Sequence, residues 1–143
     1  MTDRGARLAM IALSLAGIGV AGYLTTVHYA EVAPICVTGG GCERVQSSDY
    51  AELAGVPVAV LGLIGYIAIL AALLIPGEAT RLAAAAMALV GAGFSVYLTY
   101  LELFVINAIC QWCVASALIV SAIAALAVVR VLRAPPLEPA IGR

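Results

Sequence analysis

Cys110-Gln111-Trp112-Cys113 stands at the head of the last long apolar stretch of the chain, Ile109 to Val129. Some twenty apolar residues behind that start are enough to cross a bilayer as a helix. Two cysteines three apart on a helix lie about 60° apart around the axis and ~4.5 Å apart along it. Such a pair suits a redox dithiol, and a helix N-terminus lowers a thiol's pKa toward the reactive thiolate. Cysteine also packs as a small hydrophobe. The weight of the motif therefore depends on where the rest of the chain puts it.

Working outward, the 143 residues are 64% hydrophobic and 10% charged, where a soluble domain carries about 25% charged residues. The composition is that of an integral membrane protein, with room for four or five helices at about 20 residues per span. The seven basic residues are all arginine, in ones and twos, and the net charge is −1. No run could track a phosphate backbone, so a nucleic-acid partner is not expected.

The apolar stretches predict an all-α four-helix membrane bundle with spans near 8–29, 58–75, 82–104 and 109–129. An outer loop, 30–57, and a Pro-rich cytoplasmic tail, 130–143, complete a single domain without internal repeat. The first stretch has the basic flank of a signal peptide (Arg4, Arg7). Its apolar run is too long for an h-region, and no small-residue cleavage site follows, so it reads as a retained span. Gly17, Gly19 and Gly22 in that span allow close helix approach. Pro57 suits the start of the second span, and Pro76-Gly77 ends it. With the N-terminus in the cytoplasm, Arg4, Arg7, Arg81, Arg130, Arg133 and Arg143 fall inside and only Arg44 outside. That asymmetry places both termini in the cytoplasm. Tyr29, Tyr50, Tyr97, Tyr100, Phe104 and Trp112 gather near the outer boundary.

All four cysteines then lie on the outer side, where disulfides form and persist. Cys36 and Cys42 flank a turn containing Gly39-Gly40-Gly41, and the stretch from Cys42 to Leu53 reads as a short surface helix or helical turn. Two bridges could pair in any of three ways. One pair in a mobile loop and another at a helix start favour exchange through a mixed disulfide over inert stapling. Cys110, in the first turn, is expected nearest to water and to the loop. Cys113, almost a turn deeper, is expected to face a small membrane oxidant. A quinone is the candidate, since no haem, flavin or iron–sulfur motif is present. His28 reads as interfacial and Glu102 as solvated, with a proton acceptor for the reduced quinone as the lesser reading of Glu102; Trp112 reads as an anchor placed where it could also stack on a quinone.

Cys36-x5-Cys42, Glu43-Arg44-Val45-Gln46-Ser47-Ser48, Gly55-Val-Pro-Val-Ala-Val-Leu-Gly62 and Cys110-x-x-Cys113 occur in this order. In combination they closely resemble bacterial members of the vitamin K epoxide reductase family, over about Tyr23 to Ala125. The resemblance implies a four-helix bundle around a quinone (ubiquinone or menaquinone) in the bacterial inner membrane. It also implies electron flow from a periplasmic thioredoxin-like thiol oxidase through Cys36/Cys42 to Cys110/Cys113 and on to quinone. By position, Cys110 would bond transiently with Cys42, Cys113 would meet the quinone, and Ser48 would lie near the quinone pocket. Ala117 stands where animal members carry a tyrosine, which implies quinone rather than epoxide reduction. The fused thioredoxin-like domain of many bacterial members does not occur in the sequence, so a separate partner is expected.

Two other readings differ in class. Four thiolates could gather around one metal ion, although an oxidising compartment and the lack of a second C-x-x-C weigh against it. A structural protein with two inert bridges is the other. The disulfide bond formation protein B family also has four spans and two outer pairs, but its C-x-x-C comes first rather than last.

Overall fold

Each apolar stretch forms a helix, and the polar loop between the first two folds into a small cap. In chain order the elements are α1 (Asp3–Tyr29), α2 (Gly41–Gln46), a 3-10 turn (Asp49–Ala51), β1 (Glu52–Leu53), β2 (Val56–Pro57), α3 (Val58–Leu74), α4 (Glu78–Leu101), a π-helical turn (Glu102–Ile106) and α5 (Gln111–Arg133). The computed structural model describes residues 1–37, 39 and 41–135. Thr38, Gly40, Arg143 and most of the expected cytoplasmic tail lie outside the described residues.

Three segments are long and apolar enough to cross a membrane: Asp3–Tyr29, Glu78–Ile106 and Gln111–Arg133. Val58–Leu74 is a shorter apolar helix of 17 residues. The four long helices close a ring in which α1 packs on α3 and α5, and α4 packs on the same two. Met10, Tyr66, Ile69, Ala84, Ala88 and Ile123 meet in its interior. Leu15, Ile64, Val90, Leu118 and Leu132 are exposed on the outside, as expected of helices whose outer faces meet lipid rather than water. The protein is a multi-pass membrane protein.

Several boundaries differ from the sequence expectation, each for a local reason. α1 begins at Asp3 rather than near 8, because the Thr2 hydroxyl accepts the Gly5 N–H at 3.1 Å and caps the helix. α3 stops at Leu74, where Arg7 donates to the Leu73 and Leu74 carbonyls at 2.7 and 3.2 Å. α4 begins at Glu78, directly after Gly77, whose φ of 145° excludes most side chains. α5 starts at Gln111 and runs to Arg133, past the expected end at 129. Arg130 there pairs with Asp3 at 2.9 Å, and Arg133 donates to the Met1 carbonyl. These contacts gather Arg7, Arg130 and Arg133 at one end of the ring.

The opposite end carries the cap. The stretch after Cys42 is only partly helical: α2 lasts six residues, and β1 then pairs antiparallel with β2, Leu53 opposite Val56. Ala54 and Gly55 have φ of 53° and 82°, which turn this hairpin tightly enough to deliver Pro57 to the start of α3. His28, read as interfacial, lies 3.4 Å from Glu52 of the hairpin and ties it to the end of α1.

Candidate functional site

The four cysteines converge beneath the cap. Cys36 and Cys42 form a disulfide with Cα atoms 5.9 Å apart, and Cys110 and Cys113 are free. Cys42 and Cys110 are both completely buried, in one cluster with Val45 and against Cys36, Ile106, Trp112 and Cys113.

Local backbone chemistry puts them there. A Cβ on Gly41 would collide with the Ile109 carbonyl oxygen, so a glycine is what lets α2 dock on the start of α5. Within the expected Gly39-Gly40-Gly41 turn, Gly39 is the left-handed residue, φ 85°, and Gly41 is the docking one. Cys42 and Gln46 are four apart and share a face of α2. Cys42 meets Cys110, and Gln46 Nε2 donates to Cys113 Sγ at 3.7 Å.

The residues between the helix cysteines hold the other side of the loop. Trp112 Nε1 donates to the Ile35 carbonyl at 2.7 Å, and the Gln111 side chain accepts the Val37 N–H at 3.1 Å. Tyr23 accepts the Ile35 N–H at 2.8 Å and packs its ring on Trp112, centroids 4.8 Å apart. The backbone on both sides of Cys36 is thereby clamped. Trp112 faces the loop and is not among the residues lining the cavity described below.

Depth and burial do not run together as the helical spacing suggested. Cys110, expected nearest to water, is sealed under α2, whereas Cys113 is the partly exposed one. Cys110 is also not in the first helical turn but at the N-cap, just ahead of α5. The Cys113 thiol beside it holds the Cys110 thiol below its usual range; burial opposes this, and the Trp112 and Cys113 N–H groups assist it.

Glu102 is the largest departure. Expected to be solvated, it is only 4% exposed. The π-helical turn ends at Asn107, whose left-handed φ of 56° and ψ of 38° reverse the chain. Residues 108–110 return past the turn, and the Cys110 N–H donates to Glu102 Oε2 at 3.1 Å. The Cys113 thiol is near enough to the same carboxyl to interact with it. A single insertion-like widening of the helix, common at functional sites, thus swings a carboxylate from the lipid–water boundary to the dithiol.

Cys113 opens on a cavity of about 570 Å³ between the helices. Its wall is largely apolar, with Leu24, Ile69, Met87 and Phe94, and its few polar groups include Ser48, Tyr66, Glu102 and Ser116. Ser48 donates to the Val45 carbonyl at 2.7 Å, and Tyr66 donates to the Ser116 carbonyl at 2.8 Å. An apolar pocket of this size with a few convergent polar groups fits a small, largely apolar ligand. Gln46, Tyr66 and Ser116 were not singled out in the sequence. The spacings Cys42 to Gln46 and Cys113 to Ser116, four and three, were the available signals. Tyr97 and Tyr100, half exposed, stay on the outer surface with Phe104, as a belt would.

Two cysteine pairs meeting under one cap, one oxidised and one reduced, are the equipment of thiol–disulfide exchange. Comparison with known families agrees: the model of the vitamin K epoxide reductase family matches residues 8–128, from early in α1 to nearly the end of α5. The match includes all four cysteines, Ser48 and Glu102, and the chain belongs to the vitamin K epoxide reductase family, as a membrane thiol oxidoreductase.

Proposed function

We propose that the protein passes electrons from a thioredoxin-like thiol oxidase through Cys36/Cys42 and then Cys110/Cys113 to a membrane quinone, supporting disulfide bond formation. One observation carries the reading. Cys113 alone of the four lines the apolar cavity, while its neighbour Cys110 lies against Cys42. The route therefore has an entrance at the loop and an exit at the cavity.

In this reading the four helices span the inner membrane of a bacterium as one domain, with both termini cytoplasmic and the cap in the periplasm. α3, 17 residues or roughly 25 Å long, is completed by Pro57 and the hairpin at the outer surface. The arginine-rich end of the ring is then cytoplasmic, as the positive-inside rule expects.

The partner reduces the Cys36–Cys42 bond. Cys42 thiolate then attacks Cys110 of an oxidised C-x-x-C; a Cys42–Cys110 bond forms, and the electron pair of the broken bond stays on Cys113. Cys36 resolves the mixed disulfide and releases Cys110. A quinone in the cavity (ubiquinone or menaquinone) would accept two electrons and two protons. Ser48 and Cys113 would face it, and Trp112 would serve it indirectly, by holding the cap over the exit. Gathering four thiolates around a metal ion would first require the Cys36–Cys42 bond to be reduced, so the redox reading is preferred.

The test is turnover with a reduced thioredoxin-like protein and a quinone, read by quinone absorbance. Cys113→Ala should abolish turnover, because no Cys110–Cys113 bond can then form to take electrons from the loop pair. If that variant turns over like the parent, the electron route is wrong.

A further inference from the structure

A second, shallow cavity, open to the surface, is lined by Gly39, Arg44, Leu103, Asn107, Gln111 and Val114. Glu102 alone among the described residues lines both this cavity and the apolar one behind Cys113. Its carboxyl is buried between them, bound to the Cys110 N–H and near enough to the Cys113 thiol to interact with it. A carboxyl so placed connects water on one side with the reacting sulfur on the other.

We infer that Glu102 is the proton carrier of the reaction, exchanging protons between the outer cavity and Cys113. The inference rests on the electron route proposed above. Exchange runs through thiolates, so protons carried by the loop pair are lost at the outer surface when Cys42 and Cys36 attack. The two electrons arrive at the C-x-x-C without them, and one pair is left on Cys113 at the edge of an apolar cavity. An uncompensated anion there is costly. Glu102 supplies the proton to Cys113 Sγ and is itself reprotonated from the outer cavity.

The return step balances in the same way. When the Cys110–Cys113 bond forms again, two electrons and two protons pass to the acceptor. One proton comes from the Cys113 thiol; the second, missing because Cys110 stands as thiolate, comes inward through Glu102. The charged and titratable neighbours are Arg44 across the outer cavity, Cys110 and Cys113 at the start of α5, and Tyr50 of the 3-10 turn and Tyr66 on α3 across the inner one. Cys42 is bonded to Cys36 in this state, and the Tyr66 hydroxyl is engaged by Ser116. None of them bridges the two cavities.

A positioning role through the Cys110 N–H is separable from proton transfer. Glutamine retains an oxygen that accepts the same N–H but carries no proton; aspartate retains the proton on a shorter arm. The purified full chain is first compared by infrared difference spectroscopy between oxidised and dithiothreitol-reduced states, without quinone. The parent and Glu102→Asp should show a carboxyl C=O change that Glu102→Gln lacks. Second, quinone reduction by the reduced protein should slow by about 10²-fold or more in Glu102→Gln, with Glu102→Asp much closer to the parent. An infrared difference unaltered by Glu102→Gln, or a Glu102→Gln rate within about twofold of the parent, overturns the inference. A parent that shows the carboxyl change but reduces no quinone sinks the proposed acceptor while leaving the proton role of Glu102 supported.

Discussion

The indole nitrogen of Trp112 and the carbonyl oxygen of Ile35 lie 2.7 Å apart, across 77 positions of sequence. The second of the two residues between Cys110 and Cys113 thereby holds the residue before Cys36. The two cysteine pairs are joined by hydrogen bonds as well as by chemistry, and the loop pair is not as free as its glycines suggest.

Removing that bond should loosen the loop without dismantling the cap. Trp112→Phe keeps an aromatic ring on Tyr23 and loses the donor. A bond of this kind is worth about 1 kcal/mol, or roughly fivefold in a rate that depends on loop release. Reduction of the Cys36–Cys42 bond by dithiothreitol, followed by alkylation and gel mobility, should be faster by about that factor. An unchanged rate would mean that the clamp does not limit access.

Gly41 makes the opposite case, a contact that leaves no space. Alanine there would push α2 off the Ile109 carbonyl and draw Cys42 away from Cys110. Treated with a two-electron thiol oxidant such as diamide, a Cys36→Ala/Cys113→Ala protein should form a stable Cys42–Cys110 disulfide. Adding Gly41→Ala should cut its yield about tenfold, because a misplacement near 1 Å at reacting atoms costs one to two orders of magnitude. Equal yields on a non-reducing gel would show that the cap slides without cost.

How far the sequence carried the reading depends on the range of the forces involved. Helix-forming apolar stretches were legible because hydrophobic length is a local property, and the cysteine order with its flanking motifs marked the family. Gly17, Gly19 and Gly22 looked alike, yet only Gly17 meets another helix, its α-carbon lying against the Tyr66 ring. Which face of α1 turns inward is decided by packing and not by composition. The burial of Glu102 escapes the sequence for the same reason: it depends on a widened helical turn and on Asn107, five residues on, sending the chain back so that the Cys110 N–H, eight residues on, meets the carboxyl. The donors on Gln111, Trp112 and Gln46 were visible as residue types, but their partners lie across the fold.

The Gly17–Tyr66 contact can be tested on stability. A methyl at Gly17 would fall on a ring that is 4% exposed and already tied to Ser116, so neither can move aside freely. Gly17→Ala should destabilise the bundle by about 1–3 kcal/mol, the usual cost of overpacking. Tyr66→Leu in the same chain should restore part of the loss. Thermal unfolding in detergent micelles reads both, and a Gly17→Ala protein as stable as the parent would place α1 and α3 farther apart.

The state of Cys110 gives a pH signature. The Cys113 thiol is the main influence lowering its pKa from the ordinary 9.0 to about 7, with help from the first N–H groups of α5 and against burial and Glu102. A lowered pKa means that the thiolate persists above about pH 7 and is lost as pH falls through that value. With the Cys36–Cys42 bond intact and the C-x-x-C reduced, thiolate ultraviolet absorbance should therefore rise with a midpoint near neutrality. Cys113→Ala should move the midpoint upward by removing the principal stabilising donor, and Cys110→Ser should remove the transition. Cys110 leaves as thiolate when Cys36 resolves the mixed disulfide, and a lower leaving-group pKa speeds that step. Resolution should accordingly be slower in the Cys113→Ala protein than in the parent at every pH, the pH profile itself being set by the attacking Cys36 thiolate.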